Sequence, residues 1–141
     1  MKISDIDADY ETVKIDKIGM IDPLTGAVIF KDGKVEFIMS GFSSEVAGYI
    51  SNFLEQKREN PPTIYRLVEQ ICEENELLLV KVKIYESGDA FRANLYFTGK
   101  KELVFRNFRA SDAIALATYY NIPILVRKSM LKKFQKSKPT S

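Results

Sequence analysis

The 141-residue sequence has no histidine, no tryptophan and one cysteine, Cys72. Without histidine the commonest general base near neutral pH is missing, and the Cys and His sites that hold zinc cannot be assembled. One cysteine cannot close an internal disulfide, and Cys72 reads as a small buried hydrophobe. There is no run of about 18 apolar residues to span a membrane. The acidic, polar start MKISDIDADYE is unlike a secretory or organellar leader, so a cytoplasmic protein without a membrane partner is expected. No haem or nucleotide cofactor is indicated. Any metal would need carboxylate ligands, which points to a hard cation such as magnesium, manganese or calcium.

A composition of 45% hydrophobic and 28% charged residues suits one globular domain with a continuous core. The net charge of +2 is too small to announce a nucleic-acid partner, but it is unevenly spread. Asp5, Asp7, Asp9 and Glu11 stand near the start, while Arg127, Lys128, Lys132, Lys133, Lys136 and Lys138 close the chain without an acid. The expected division is an N-terminal lead over 1–12, a domain over 13–134 and a basic flexible tail over 135–141. No low-complexity segment or internal repeat stands out.

Thr12 to Ile21 is rich in β-branched residues, DPLTG has turn chemistry, and AVIFKDGKVEFIM places Asp32-Gly33 at a tight hairpin. Three antiparallel strands are expected. In SSEVAGYISNFLEQK, the spacing of Val46, Ala47, Ile50, Phe53 and Leu54 predicts a helix capped by Ser43 or Ser44 and stopped by Asn60-Pro61-Pro62. TIYRLVEQICEEN predicts a second helix with Ile64, Leu67, Val68, Ile71 and Cys72 facing the core and Tyr65 turned away. LLLVKVKIYE, AFRANLYFTG and KELVFRNF then form a three-stranded meander with Ser87-Gly88-Asp89 as its first turn. A short AIALATYY helix capped by Ser111 and ended by Asn121 leads to a closing strand over Ile122 to Val126. The fold class is α+β: a single domain with an antiparallel or mixed sheet, a hairpin half with two helices, then the meander, the capped helix and the final strand.

The stretch RASDAIALA followed by PILV, at Arg109 to Ala117 and Pro123 to Val126, resembles the bifunctional nuclease domain family, whose members commonly read RPSDAIALA and then PIFV or PIYV. MSGFSSEVAGYI with Glu45 is similar to the family's IGxxEA element. Pro62, the TIYRLVEQI helix and GDAFRA at Gly88 to Ala93 follow in the family's order. The resemblance covers about Val13 to Phe134 and implies a nuclease acting on DNA or RNA. Two departures stand out: Ala110 replaces the proline of RPSD, and Tyr65-Arg66 stands where many members carry His-Asp.

Phosphodiester hydrolysis needs an activated water and cationic stabilisation of the phosphoryl oxygens. Asp112 and Glu45, each near a helix start, are the candidate catalytic carboxylates and ligands for magnesium or manganese, and Arg109 is the candidate phosphate clamp. Ordinary helix-end chemistry accounts for the same residues: acids in first turns balance the dipole, and Arg109 can pair with Asp112. Alternation in the meander places Arg92, Asn94 and Tyr96 beside Lys81, Lys83 and Tyr85, a basic face interleaved with rings that could follow a nucleic-acid strand. The exposed pair Tyr65 and Arg66 is a further candidate contact. Tyr and Arg cannot readily replace His-Asp as acid and base near neutral pH, which keeps a second reading open: a nucleic-acid-binding or homo-oligomeric module, most simply a dimer, without catalysis.

Overall fold

A computed structural model describes residues 7–57 and 63–131. The expected stop at Asn60-Pro61-Pro62 and the basic residues from Lys132 onward lie outside the described residues. Three strands, β1 (Tyr10–Asp22), β2 (Thr25–Asp32) and β3 (Val35–Ser43), lead directly into helix α1 (Ser44–Leu54). Helix α2 (Ile64–Glu74) precedes β4 (Leu78–Ser87), β5 (Ala90–Thr98) and β6 (Leu103–Arg109), which lead directly into α3 (Ala110–Tyr120) and then β7 (Ile124–Arg127).

All seven strands form one mixed sheet in the order β3-β2-β1-β7-β4-β5-β6. β7 runs antiparallel to β1 and parallel to β4, so it joins two antiparallel meanders. Each meander is followed at once by an 11-residue helix, a structural repeat that the sequence does not display. The hairpins close where turn chemistry placed them. Gly33 and Gly88 take φ of 59° and 63°, which residues with a Cβ adopt at a cost.

One core lies between the sheet and the helices. Val28, Phe30, Val82, Ile84, Ala93 and Val126 supply its sheet side, and Ile50 of α1 with Ile114, Ala115 and Ala117 of α3 its helix side. Small residues bring the layers close: a Cβ at Gly26 would stand 2.6 Å from the Ala47 Cβ. The sheet curls strongly enough that Phe37 of β3 meets Phe91 of β5 edge to face at 6.1 Å, although four strands separate them in the sheet order.

Helix α2 differs from its expected orientation. Ile64, Leu67 and Ile71 are exposed, at 62%, 48% and 51%, while Tyr65 and Cys72 are buried. Aromatic packing explains the rotation. Tyr65 enters a cluster with Tyr49, Phe53 and Tyr119, with centroids 5.3, 5.2 and 6.2 Å away, and Glu69 on the same side accepts a 2.6 Å hydrogen bond from the Tyr119 hydroxyl. Three rings and a part-buried hydrogen bond outweigh the burial of three aliphatic side chains.

Helix ends also separate expectation from structure. Ser43 caps α1, its hydroxyl accepting from the Val46 N–H at 3.1 Å. At α3, however, Arg109 rather than Ser111 holds the N-cap position, with no side-chain cap bond. Ala110 is already helical and buried, so Ser111 falls inside the first turn. Asn121 ends α3 with φ 59° and ψ 50°, the left-handed geometry expected there.

Candidate nucleic-acid interface

Arg109 stands at the junction of edge strand β6 and helix α3. Its Nε donates to Asp112 Oδ2 at 3.0 Å and its Nη2 to Asp112 Oδ1 at 3.2 Å, a bidentate pair one helical turn long. Both side chains are largely solvent-exposed, so the pair contributes only about 0–1 kcal/mol to stability. Bonding and charge from Asp112 raise the Arg109 pKa above its ordinary value.

The buried Tyr65 belongs to this corner. Burial, followed by the charges of Asp112, Tyr49 and Glu45, pushes its phenol up to about 12, with Arg109 opposing. The charges of Asp112, Arg109 and Glu45 therefore all act on this one phenol. Tyr65 stays protonated near neutral pH, so it is not a base there, and it is not the exposed contact expected. Arg66, next in the chain, is exposed on α2 and does not join the sheet face.

A phenol harder to ionise in the folded state than in the unfolded one (about 12 against 10) makes stability fall as pH rises from 10 toward 12. Burial and the neighbouring Cys72 also raise the Tyr120 phenol. Tyr65→Phe is expected to remove part of this alkaline loss and leave stability below pH 9 nearly unchanged. Urea unfolding at pH 8 and pH 11.5 checks it; an identical loss in both proteins contradicts the placement of Tyr65.

On the sheet face opposite the helices, register joins most of the expected basic set. Lys81 pairs with Tyr96, Lys83 with Asn94 and Tyr85 with Arg92. Two members are corrections, because Lys83 and Asn94 are buried, at 1% and 6% exposure, not wet. The Lys83 ammonium lies 4.9 Å from the ring centroids of both Tyr10 and Tyr96, so aromatic faces replace much of its water. Asn94 Oδ1 accepts from the backbone N–H of Asn107 at 3.1 Å and anchors an irregularity in β6. Lys81, Tyr85, Arg92 and Tyr96 keep partial exposure.

Three features of this face were not read from the sequence. Tyr10 and Arg127 extend the ladder of cations over rings, with Arg127 5.8 Å from the Tyr10 centroid and 5.6 Å from that of Tyr85. Strand register also sets Arg92 directly opposite Arg109. Like charges in that position repel, and Asp112 offsets one of them. Pairing information is needed to find this contact, since 17 positions separate the two arginines in the chain.

Among the described residues, no group of three or more His, Cys, Asp or Glu side chains is placed to hold a metal. A cleft of about 820 Å³ lies elsewhere, where the C-terminal ends of α1 and α3 meet β1 and β7; Val13, Phe53, Thr118 and Asn121 line it, and none of Arg109, Asp112 and Glu45 does. Among the described residues, no helix is long and apolar enough to cross a membrane.

The profile of the bifunctional nuclease domain matches residues 37–139, well over half of the chain. The chain belongs to the bifunctional nuclease domain family. Membership relates it to nuclease or nucleic-acid-binding function. Glu45, Tyr65, Arg92, Arg109 and Asp112 all fall inside the matched segment of this bifunctional nuclease domain, whereas Tyr10 lies outside it. No curated protein matches the chain.

Proposed function

We propose that the protein binds the phosphodiester backbone of DNA or RNA at the Arg92 and Arg109 corner and hydrolyses it with a magnesium or manganese ion recruited by Asp112 and Glu45. The observation that carries this reading is the register of β5 and β6, which sets two arginines opposite each other, one of them paired with the exposed carboxylate of Asp112. A phosphate offers oxygens to both guanidinium groups in the forked geometry arginine favours. Because the Arg109–Asp112 pair is exposed, an incoming phosphate can take Arg109 at small cost and leave Asp112 available.

The donor set suits a hard cation, since magnesium is commonly held by one or two carboxylates together with substrate phosphate and water. When bound, such an ion stabilises charge on the phosphoryl oxygens and lowers the pKa of a coordinated water. The chain's own residues bind and orient: Arg92 and Arg109 fix the phosphate, and Tyr65, protonated near neutral pH, can donate a hydrogen bond into the corner. The absence of histidine leaves no imidazole base to compete with this route.

The second reading is binding without cleavage. It is favoured by the lack, among the described residues, of any group of three or more His, Cys, Asp or Glu side chains placed to hold a metal, and by Tyr65-Arg66 in place of the family's His-Asp. Both readings require the phosphate clamp. Anisotropy of a labelled oligonucleotide, titrated at several salt concentrations in chelator, tests it. Arg92→Gln is expected to weaken binding and reduce the salt slope by about one phosphate contact; an unchanged slope removes the clamp.

A further inference from the structure

Edge strand β6 carries two exposed rings that the phosphate clamp does not use. Its last five residues, FRNFR, are all exposed, with Phe105 at 46% and Phe108 at 45%. Phe105 lies opposite Leu95 and Phe108 opposite Ala93. Leu95 and Ala93, two apart, share a face of the sheet. Phe105 and Phe108, three apart, share that face only because an irregularity at Arg106 and Asn107 absorbs the extra residue. Asn107 takes a left-handed φ of 69° there, and buried Asn94 accepts its N–H.

The two rings are set in a cationic frame. From Ala90 to Arg109 the chain carries Arg92, Lys100, Lys101, Arg106 and Arg109 against the single acid Glu102. Phe105 is braced edge to face against buried Phe97 at 5.5 Å, so its free face is held in place. Addition of a protein strand along β6 is opposed by the irregular ladder and by the arginines, devices that blunt sheet edges. An anionic partner with flat apolar groups fits both the charge and the rings.

We infer that Phe105 and Phe108 form a stacking platform for two unpaired bases of a single-stranded nucleic acid whose phosphates pass round the β6 edge to Arg92 and Arg109 on the other face of the sheet. This inference rests on the phosphate-binding reading above and adds the strandedness of the substrate. Two residues of β-strand span about 6.7 Å, roughly twice the 3.4 Å rise per base along a duplex strand. Neighbouring bases must part to reach both rings, which a single strand permits and a paired duplex resists. Aromatic stacking tolerates any base, so little sequence preference is expected.

The test is anisotropy in chelator with three labelled probes of equal length: a thymidine single strand, a duplex and an abasic single strand. Wild type is expected to bind the thymidine strand at least about tenfold more tightly than either of the others. The double variant Phe105→Leu with Phe108→Leu, checked by thermal unfolding, should lose that preference and bind all three alike. Equal binding of the thymidine and abasic strands by wild type overturns the platform without needing any variant. If that equal binding is still weakened by Arg92→Gln, the phosphate clamp stands and only the platform falls; if wild type binds none of the probes, both fall. Conversion of a wild-type dimer to monomer by the Phe substitutions, with probe affinities unchanged, overturns the inference and assigns the edge to a second copy of the chain.

Discussion

Asp112→Asn is expected to lower metal-dependent cleavage of nucleic acid by on the order of a hundredfold or more, as for loss of one charged group that stabilises a transition state. The substitution keeps the shape of the side chain and removes the charge on which a divalent ion depends. The fold should survive. The exposed pair with Arg109 is worth about 0–1 kcal/mol, and an acid in the first turn of α3 about 0.3–1 kcal/mol. Affinity for an oligonucleotide in chelator should stay equal or rise, because Arg109 is released and the negative charge paired with it is lost. Loss of cleavage with binding retained is a combination that unfolding cannot produce. Cleavage assays and anisotropy on the same preparation measure both, and equal cleavage by variant and wild type would contradict the role given to Asp112.

The second large effect belongs to the layer that holds the corner together. Phe53→Ala is expected to destabilise the protein by about 3–5 kcal/mol. Phe53 is buried and packs edge to face on Tyr65 at 5.2 Å and on Tyr119 at 5.1 Å, while stacking on Tyr49 at 6.1 Å. One ring thus ties α1 to both α2 and α3, and its removal leaves a cavity at their common contact. Phe53→Leu, which keeps most of the volume, should cost clearly less. Urea unfolding reads the difference. A loss below about 1 kcal/mol for the alanine variant would show that the three helices do not depend on this cluster.

Much of the fold could be read because local patterns and tertiary packing agree. The hairpin at Asp32-Gly33, the Ser43 cap, the alanine-rich α3 and the left-handed Asn121 each follow from the chemistry of a few adjacent residues. Helix α2 could not be placed that way. Its aliphatic stripe is the stronger periodic signal, yet Tyr65 is drawn inward by rings on α1 and α3 that are distant in sequence. The buried state of Lys83 has the same origin, since Tyr10 and Tyr96 come from two other strands.

The candidate site divides along the same line. Arg109, Asp112 and Glu45 could be named from helix-start chemistry and from the resemblance of RASDAIALA to a family motif. Their common influence on Tyr65 could not, because the burial of Tyr65 depends on rings of α1 and α3 that are distant in sequence. The opposition of Arg92 and Arg109, and the shared face of Phe105 and Phe108, depend on strand register and on one irregularity in β6. The FRNFR run does break the two-residue alternation of a regular strand, and that break is the signal in the sequence that could have drawn attention to it.

The most direct test of the central claim is cleavage of end-labelled single-stranded DNA and RNA by wild type, with manganese or magnesium and with chelator, beside Asp112→Asn purified in parallel. The account predicts cleavage that requires the metal and is lost in the variant. Bound but uncut nucleic acid under every condition, or residual cleavage equal in the two proteins, would contradict it.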